Sequence, residues 1–77
     1  MKITLYSPSF CQIFEQDMFS ITLDSASLEI LPQHAFLERV FYKGMMMLHS
    51  KEYTLKEGLL KVKEDEVFLF AQEILID

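Results

Sequence analysis

The segment LEILPQHAFL, from Leu28 to Leu37, combines apolar residues, a proline and a histidine in an order that core filling alone does not explain. Proline has no backbone N–H, and it biases the residue before it towards an extended conformation. Pro32 therefore predicts that residues 28–31 form a short strand and that the chain turns where this strand ends.

Two segments before this turn alternate between apolar and polar residues. The alternation covers Lys2 to Tyr6 and Asp17 to Leu23, and it is typical of strands with one buried face. The polar run Asp24 to Ser27 contains residues that favour turns, so it predicts a turn that leads into the strand at residues 28–31. The residues expected on the buried faces of the two alternating strands are Ile3, Leu5, Phe19, Ile21 and Leu23.

After the turn, the pattern is less uniform. The pattern of residues 35–43 is ambiguous, because it also satisfies a helical period, whereas Met45 to Leu48 is apolar on both faces. Turn residues then recur every 8 to 12 residues or so up to Ile76, as in sandwiches and barrels. The sequence predicts one all-β domain over residues 1–77, an antiparallel β-sandwich or flattened barrel of about 8–10 short strands.

Composition excludes several functional classes. The net charge is −5, from 12 acidic and 7 basic residues, which disfavours binding to nucleic acid and to anionic lipid. The single cysteine, Cys11, cannot form an internal disulfide, and we expect it to be a small buried hydrophobe in a reducing compartment. No run of 18 apolar residues is present, which argues against direct membrane insertion.

The sequence also lacks a pattern typical of catalysis. His34 and His49 are far apart in the sequence, and neither lies beside a serine nucleophile or paired carboxylates. We therefore expect no enzyme activity, no metal site and no cofactor. Three roles remain open for His34: a structural hydrogen bond, an interface contact, or catalysis. The run Met45 to Met47 forms either a strand buried on both sides or an adaptable binding surface.

The segment from Leu28 to Leu37 resembles a signature of the epsilon subunit of F-type ATP synthases, which is called delta in mitochondria. The signature of that family reads Gly-Glu-Phe-Gly-Ile-Leu-Pro-Gly-His-Ala-Pro-Leu, and seven positions here stand in register with it. The matching residues are Leu28, Ile30, Leu31, Pro32, His34, Ala35 and Leu37. Further matches lie on both sides, at Ile3, Leu5, Ser7, Pro8, Phe14, residues 21–23, Gly44, residues 53–62 and residues 67–71.

Three positions of the signature depart from the family pattern. Glu29 and Gln33 stand where the family has glycine, and Phe36 stands where it has a second proline. Glycine is favoured where φ is positive or where backbones approach closely, so these changes predict a reshaped corner.

The resemblance implies a non-catalytic rotor subunit in the central stalk of the F1 complex, which couples proton transport to ATP synthesis. It implies docking on the gamma subunit and on the c-ring loops, at the cytoplasmic side of the inner membrane. The ATP-sensing helical hairpin of the family is expected to be absent, because the sequence stops where it would begin. By register, the gamma-facing residues are Ser7, His34, Leu37, Arg39 and Met45, and the ring-facing residues are Ser27, Leu28 and Glu29.

A second hypothesis is a divergent paralogue that keeps the sandwich but acts as a standalone protein-interaction module. The substituted glycines and the additional phenylalanines motivate it. Such a protein would form a homo-oligomer through exposed strand edges and a surface that contains Phe36, Phe41 and Met46.

Overall fold

A computed structural model describes residues 1–32 and 35–77, and in these residues every regular element is a strand. The two-residue connections Asp24-Ser25 and His49-Ser50 have positive φ at both positions, as type I′ hairpin turns require. The strands are β1 (Lys2–Ser7), β2 (Phe10–Glu15), β3 (Phe19–Leu23), β4 (Ala26–Ile30), β5 (Leu37–Leu48), β6 (Lys51–Lys63) and β7 (Glu66–Ile76).

The strands form one sheet in the order β2-β1-β7-β6-β5-β3-β4. All neighbouring pairs are antiparallel except β1 and β7, which run parallel with Ile3 opposite Val67. The sheet is therefore mixed, whereas the sequence predicts an antiparallel one. The parallel pair joins the beginning of the chain to its last strand, so no local pattern reveals it.

The three long strands β5, β6 and β7 bend at positions that are side by side in the sheet. In each strand the alternation of buried and exposed residues is interrupted by two successive exposed residues. In β6 the bend includes Glu57, whose φ of 53° lies in the left-handed region. Before and after each bend, different alternate residues point inward, because the bend shifts the alternation by one residue. The strand therefore crosses from one layer to the other. The exposed pairs are Tyr42 and Lys43, Lys56 and Glu57, and Gln72 and Glu73.

These bends fold the sheet into a sandwich of two layers, and each layer contains five strand segments. The first layer is β2, β1 and the segments of β7, β6 and β5 at residues 66–71, 58–63 and 37–41. The second is the remainder of these three strands with β3 and β4. The prediction of an all-β sandwich is confirmed. The structure has seven strands, fewer than the roughly 8–10 short strands that the sequence predicts. The difference arises because each of the three long strands is bent into two short segments.

The core lies between the two layers. Inward-facing side chains from both layers are buried, and no polar or charged side chain is buried among the described residues. The alternation predicted for residues 2–6 and 17–23 is confirmed, because all five residues expected on the buried faces lie in this core. The buried residues include Ile3, Leu5, Leu60, Val67 and Leu69 from the first layer, and Phe19, Ile21, Leu23, Leu48 and Leu55 from the second.

Asp24 holds the bend in β5. Its Oδ1 accepts hydrogen bonds from the backbone N–H groups of Tyr42, at 3.1 Å, and Lys43, at 2.9 Å. Its own N–H donates to the carbonyl oxygen of Lys43, at 2.9 Å. The pairing of β3 with β5 stops at Leu23 and Gly44, so the carboxylate supplies an acceptor to the N–H groups of Tyr42 and Lys43 where no β3 residue pairs with them.

Asp24→Ala is expected to lower the free energy of unfolding by about 1–2 kcal/mol, because two backbone N–H groups lose a charged acceptor and alanine tolerates positive φ poorly. Urea denaturation measures the change. Asp24→Asn is the matched control, since it keeps a carbonyl acceptor and suits the φ of 48°. Equal losses in both variants would contradict this role for the side-chain acceptor.

Candidate functional site

The residues that the resemblance assigns to the c-ring lie together on β4, an edge strand of the sheet. Ser27 and Glu29 are exposed, whereas Leu28 is half-buried and packs against the core. The strand predicted at residues 28–31 is present as β4, but β4 begins at Ala26 and ends at Ile30, so Leu31 lies outside it and Ser27, which was expected in the preceding turn, belongs to it. This edge presents a carboxylate and a hydroxyl to solvent.

A shallow groove of about 450 Å³ crosses the outer face of the second layer beside β4. Its floor includes Met45 and Met47, and the Thr22 and Ser27 hydroxyl oxygens lie 3.4 Å apart along it. Glu29 and Glu52 line the groove, and no basic side chain does so among the described residues. The groove can accept hydrogen bonds and positive charge, and its methionines can adapt to varied apolar shapes.

The residues that the resemblance assigns to the gamma subunit are dispersed. Ser7 ends β1, where its Oγ accepts a hydrogen bond from the N–H of Ser9 at 3.3 Å. Leu37 and Arg39 lie in the first-layer part of β5, separated from β1 by β6 and β7. Met45 lies in the second layer and lines the same groove as the ring-facing residues. His34 lies outside the described residues, and so do the roles left open for it.

The interpretation of the methionine run as a strand buried on both sides is wrong. Met46 points into the core, whereas Met45 and Met47 point outward and are 39% and 64% exposed. The outer face is open because no third layer covers the sandwich among the described residues. Both outward methionines lie in the groove, in agreement with the other reading of this run, an adaptable surface.

Two further expectations about burial are wrong. Cys11 is exposed, because it points outward from the edge strand β2. Phe41 and Met46, expected on a self-associating surface, are buried in the core. Of that proposed surface, only Phe36 is exposed, at 59%. The ambiguity over residues 35–43 is also settled, since β5 begins at Leu37.

The outer face of the first layer carries a row of apolar side chains. Val40, Leu59, Phe70 and Tyr6 stand side by side on neighbouring strands and point outward. The rings of Tyr6 and Phe70 are 5.2 Å apart between centroids. The row reaches the sheet edge at Cys11 of β2. This face therefore offers apolar contact area, in contrast to the hydroxyls and carboxylates of the groove.

The described residues contain no group of three His, Cys, Asp or Glu side chains that could hold a metal ion. The groove exposes carboxylates and hydroxyls, whereas the outer face of the first layer exposes apolar side chains. Sequence reasoning missed Ser20, Thr22 and Glu52 of the groove. The alternation of Asp17 to Leu23 places Ser20 and Thr22 outward, but only the register of β5 with β6 brings Glu52 beside them.

The sequence matches no protein-family model and no curated protein. Within residues 1–32 and 35–77, no helix is long and apolar enough to cross a membrane.

Proposed function

We propose that this chain is a non-catalytic docking subunit of the epsilon type, which binds the gamma subunit and the c-ring loops of an F-type ATP synthase. In this role it couples proton transport to ATP synthesis from the cytoplasmic side of the inner membrane, where the complex holds it. Its contribution is mechanical, because it links two larger parts of the rotor through its surfaces.

The observation that supports this proposal best is the position of the segment with the signature. The first three residues of this segment, Leu28 to Ile30, lie in the edge strand β4, so the carboxylate of Glu29 is available to a partner instead of filling the core. Ser27 and Glu29 point to the outer face, where polar loops of a ring could reach them. The agreement of the observed sandwich with the fold that the resemblance implies is a second support, although many unrelated functions share such folds.

The test is coexpression of this chain with the gamma subunit of its own organism, followed by purification through a tag on gamma. We expect the two proteins to copurify. Arg39→Glu, on the unpaired edge of β5, is expected to reduce the recovered amount at least about fivefold, because it reverses an exposed interface charge. Failure of the wild-type chain to copurify with gamma would overturn the proposal.

The ring side is tested with Glu29→Arg in reconstituted membranes. We expect gamma binding to persist and ATP-driven proton pumping to fall at least about fivefold, because the reversed charge faces the ring loops. Glu66→Arg is the matched control, since it makes the same charge change at an exposed position of the first layer. Equal pumping by all three proteins would exclude β4 from the ring contact.

A further inference from the structure

The sandwich has four strand edges with no described strand beside them. They are β2, β4, residues 37–41 of β5 and residues 72–76 of β7. Unpaired edges expose rows of N–H and C=O groups that can pair with another chain. Natural proteins usually block such pairing with charged side chains, proline or bulges.

β2 is the least protected of the four edges. Its residues 10–14 form an uncharged run, and its one charged residue, Glu15, stands at its end. By contrast, β4 has Glu29 near its centre, the β5 edge has Glu38 and Arg39, and the β7 edge has Glu73 as its second residue. No proline interrupts β2, and its pairing with β1 is continuous from Phe10 to Glu15 without a bulge. The backbone of β2 is therefore open to another strand.

The side chains of β2 favour the same conclusion. Cys11 and Ile13 both point outward and are exposed, Ile13 by 56%. They extend the outer face that carries the apolar row of Val40, Leu59, Phe70 and Tyr6. That row ends at an edge instead of at a polar border. A strand added to β2 would continue the apolar face beyond the molecule.

We propose that β2 pairs antiparallel with β2 of a second copy of this chain, around a two-fold axis at Gln12. Directly opposite residues share a face of the sheet, so a symmetric pair must be centred on a residue. Centring on Gln12 gives five pairs without a charged residue, with Cys11 opposite Ile13 and Phe10 opposite Phe14. Centring on Ile13 would instead bring Glu15 opposite Cys11, and centring on Cys11 would leave three pairs within β2.

The occupant is a second copy because the edge complements itself. The two Gln12 amides would lie opposite each other and can exchange hydrogen bonds, since each amide carries a donor and an acceptor. The chain has a net charge of −5, which opposes self-association in general. The pairing avoids this repulsion, because its five pairs contain no carboxylate. The two first layers would join into one layer of ten strand segments.

Sedimentation equilibrium of the isolated chain, at concentrations up to about 200 µM, tests the proposal. We expect a dimer whose dissociation constant rises more than about tenfold in Gln12→Lys, because the two ammonium groups would face each other. Ser27→Lys places the same charge on the β4 edge and is expected to leave the dimer intact. Circular dichroism verifies that both variants are folded. A monomeric wild type, or a dimer that only Ser27→Lys disrupts, would overturn the proposal.

The register is tested by cross-linking. In a Cys11→Ser background, Gln12→Cys places two thiols opposite each other across the axis. We expect a disulfide-linked dimer, with oxidised glutathione taking up the two electrons and two protons to give two reduced glutathiones. The wild-type Cys11 thiols are offset by two residues in this register, so their cross-linking should be at least about tenfold slower. Faster cross-linking of wild-type Cys11 would contradict the Gln12 axis.

Discussion

Gly58→Ala is expected to destabilise the protein by about 3–5 kcal/mol, which is comparable to the whole stability of a small domain. A Cβ at Gly58 would collide with the backbone carbonyl oxygen of Phe70 and lie 2.8 Å from Cζ of Phe41. The backbone of β7 cannot retreat without losing its pairing with β6, because Gly58 stands opposite Ala71. Urea denaturation would show a much lower midpoint, or no folded baseline.

Gly44→Ala is the matched control for this substitution. A Cβ at Gly44 would lie 3.0 Å from Cδ2 of Leu23 and 3.3 Å from Cε1 of Phe41. Both neighbours are side-chain atoms that can shift by a few tenths of an ångström, so the expected loss is about 1–2 kcal/mol. Neither glycine has a positive φ, so the difference reflects space alone. Equal losses in the two variants would refute the importance of the carbonyl contact at Gly58.

The alternation of apolar and polar residues in the sequence reveals only part of the fold. Alternation identifies β1 and β3, because each has one buried face along its whole length. It fails in the long strands, where the inward parity changes at each bend. In β6 the buried positions are Tyr53 and Leu55 before the bend and Leu60 and Val62 after it. Without the register, such a strand resembles two short ones with a turn between them.

The candidate site was only partly predictable, because some of its features are local in sequence and others depend on which strands are neighbours. A strand that contains Glu29 follows from the turn at Pro32, which is local in sequence, but its position at the edge of the sheet does not, and Ser27 was expected in the preceding turn. The groove next to it depends on which strands are neighbours, because Glu52 and Met47 meet only through the pairing of β5 with β6. The exposure of Cys11 likewise depends on β2 being the last strand of the sheet, which no short pattern indicates.

Phe41→Ala is expected to cost about 3–5 kcal/mol, the second large effect that the bends predict. The Phe41 ring is 2% exposed and lies over both glycines, so its removal would leave a cavity where β5 and β6 change layers. Phe36→Ala is the matched control: the same truncation at a side chain 59% exposed should change the free energy of unfolding by less than about 0.5 kcal/mol. Urea denaturation of both variants measures the contrast.

A small loss in Phe41→Ala would mean that this ring does not support the bend, whereas a large loss in Phe36→Ala would place that side chain in the core. The predicted difference follows from the structure alone, because Phe36 immediately precedes β5 and Phe41 lies within it, whereas the sequence assigns both to one surface.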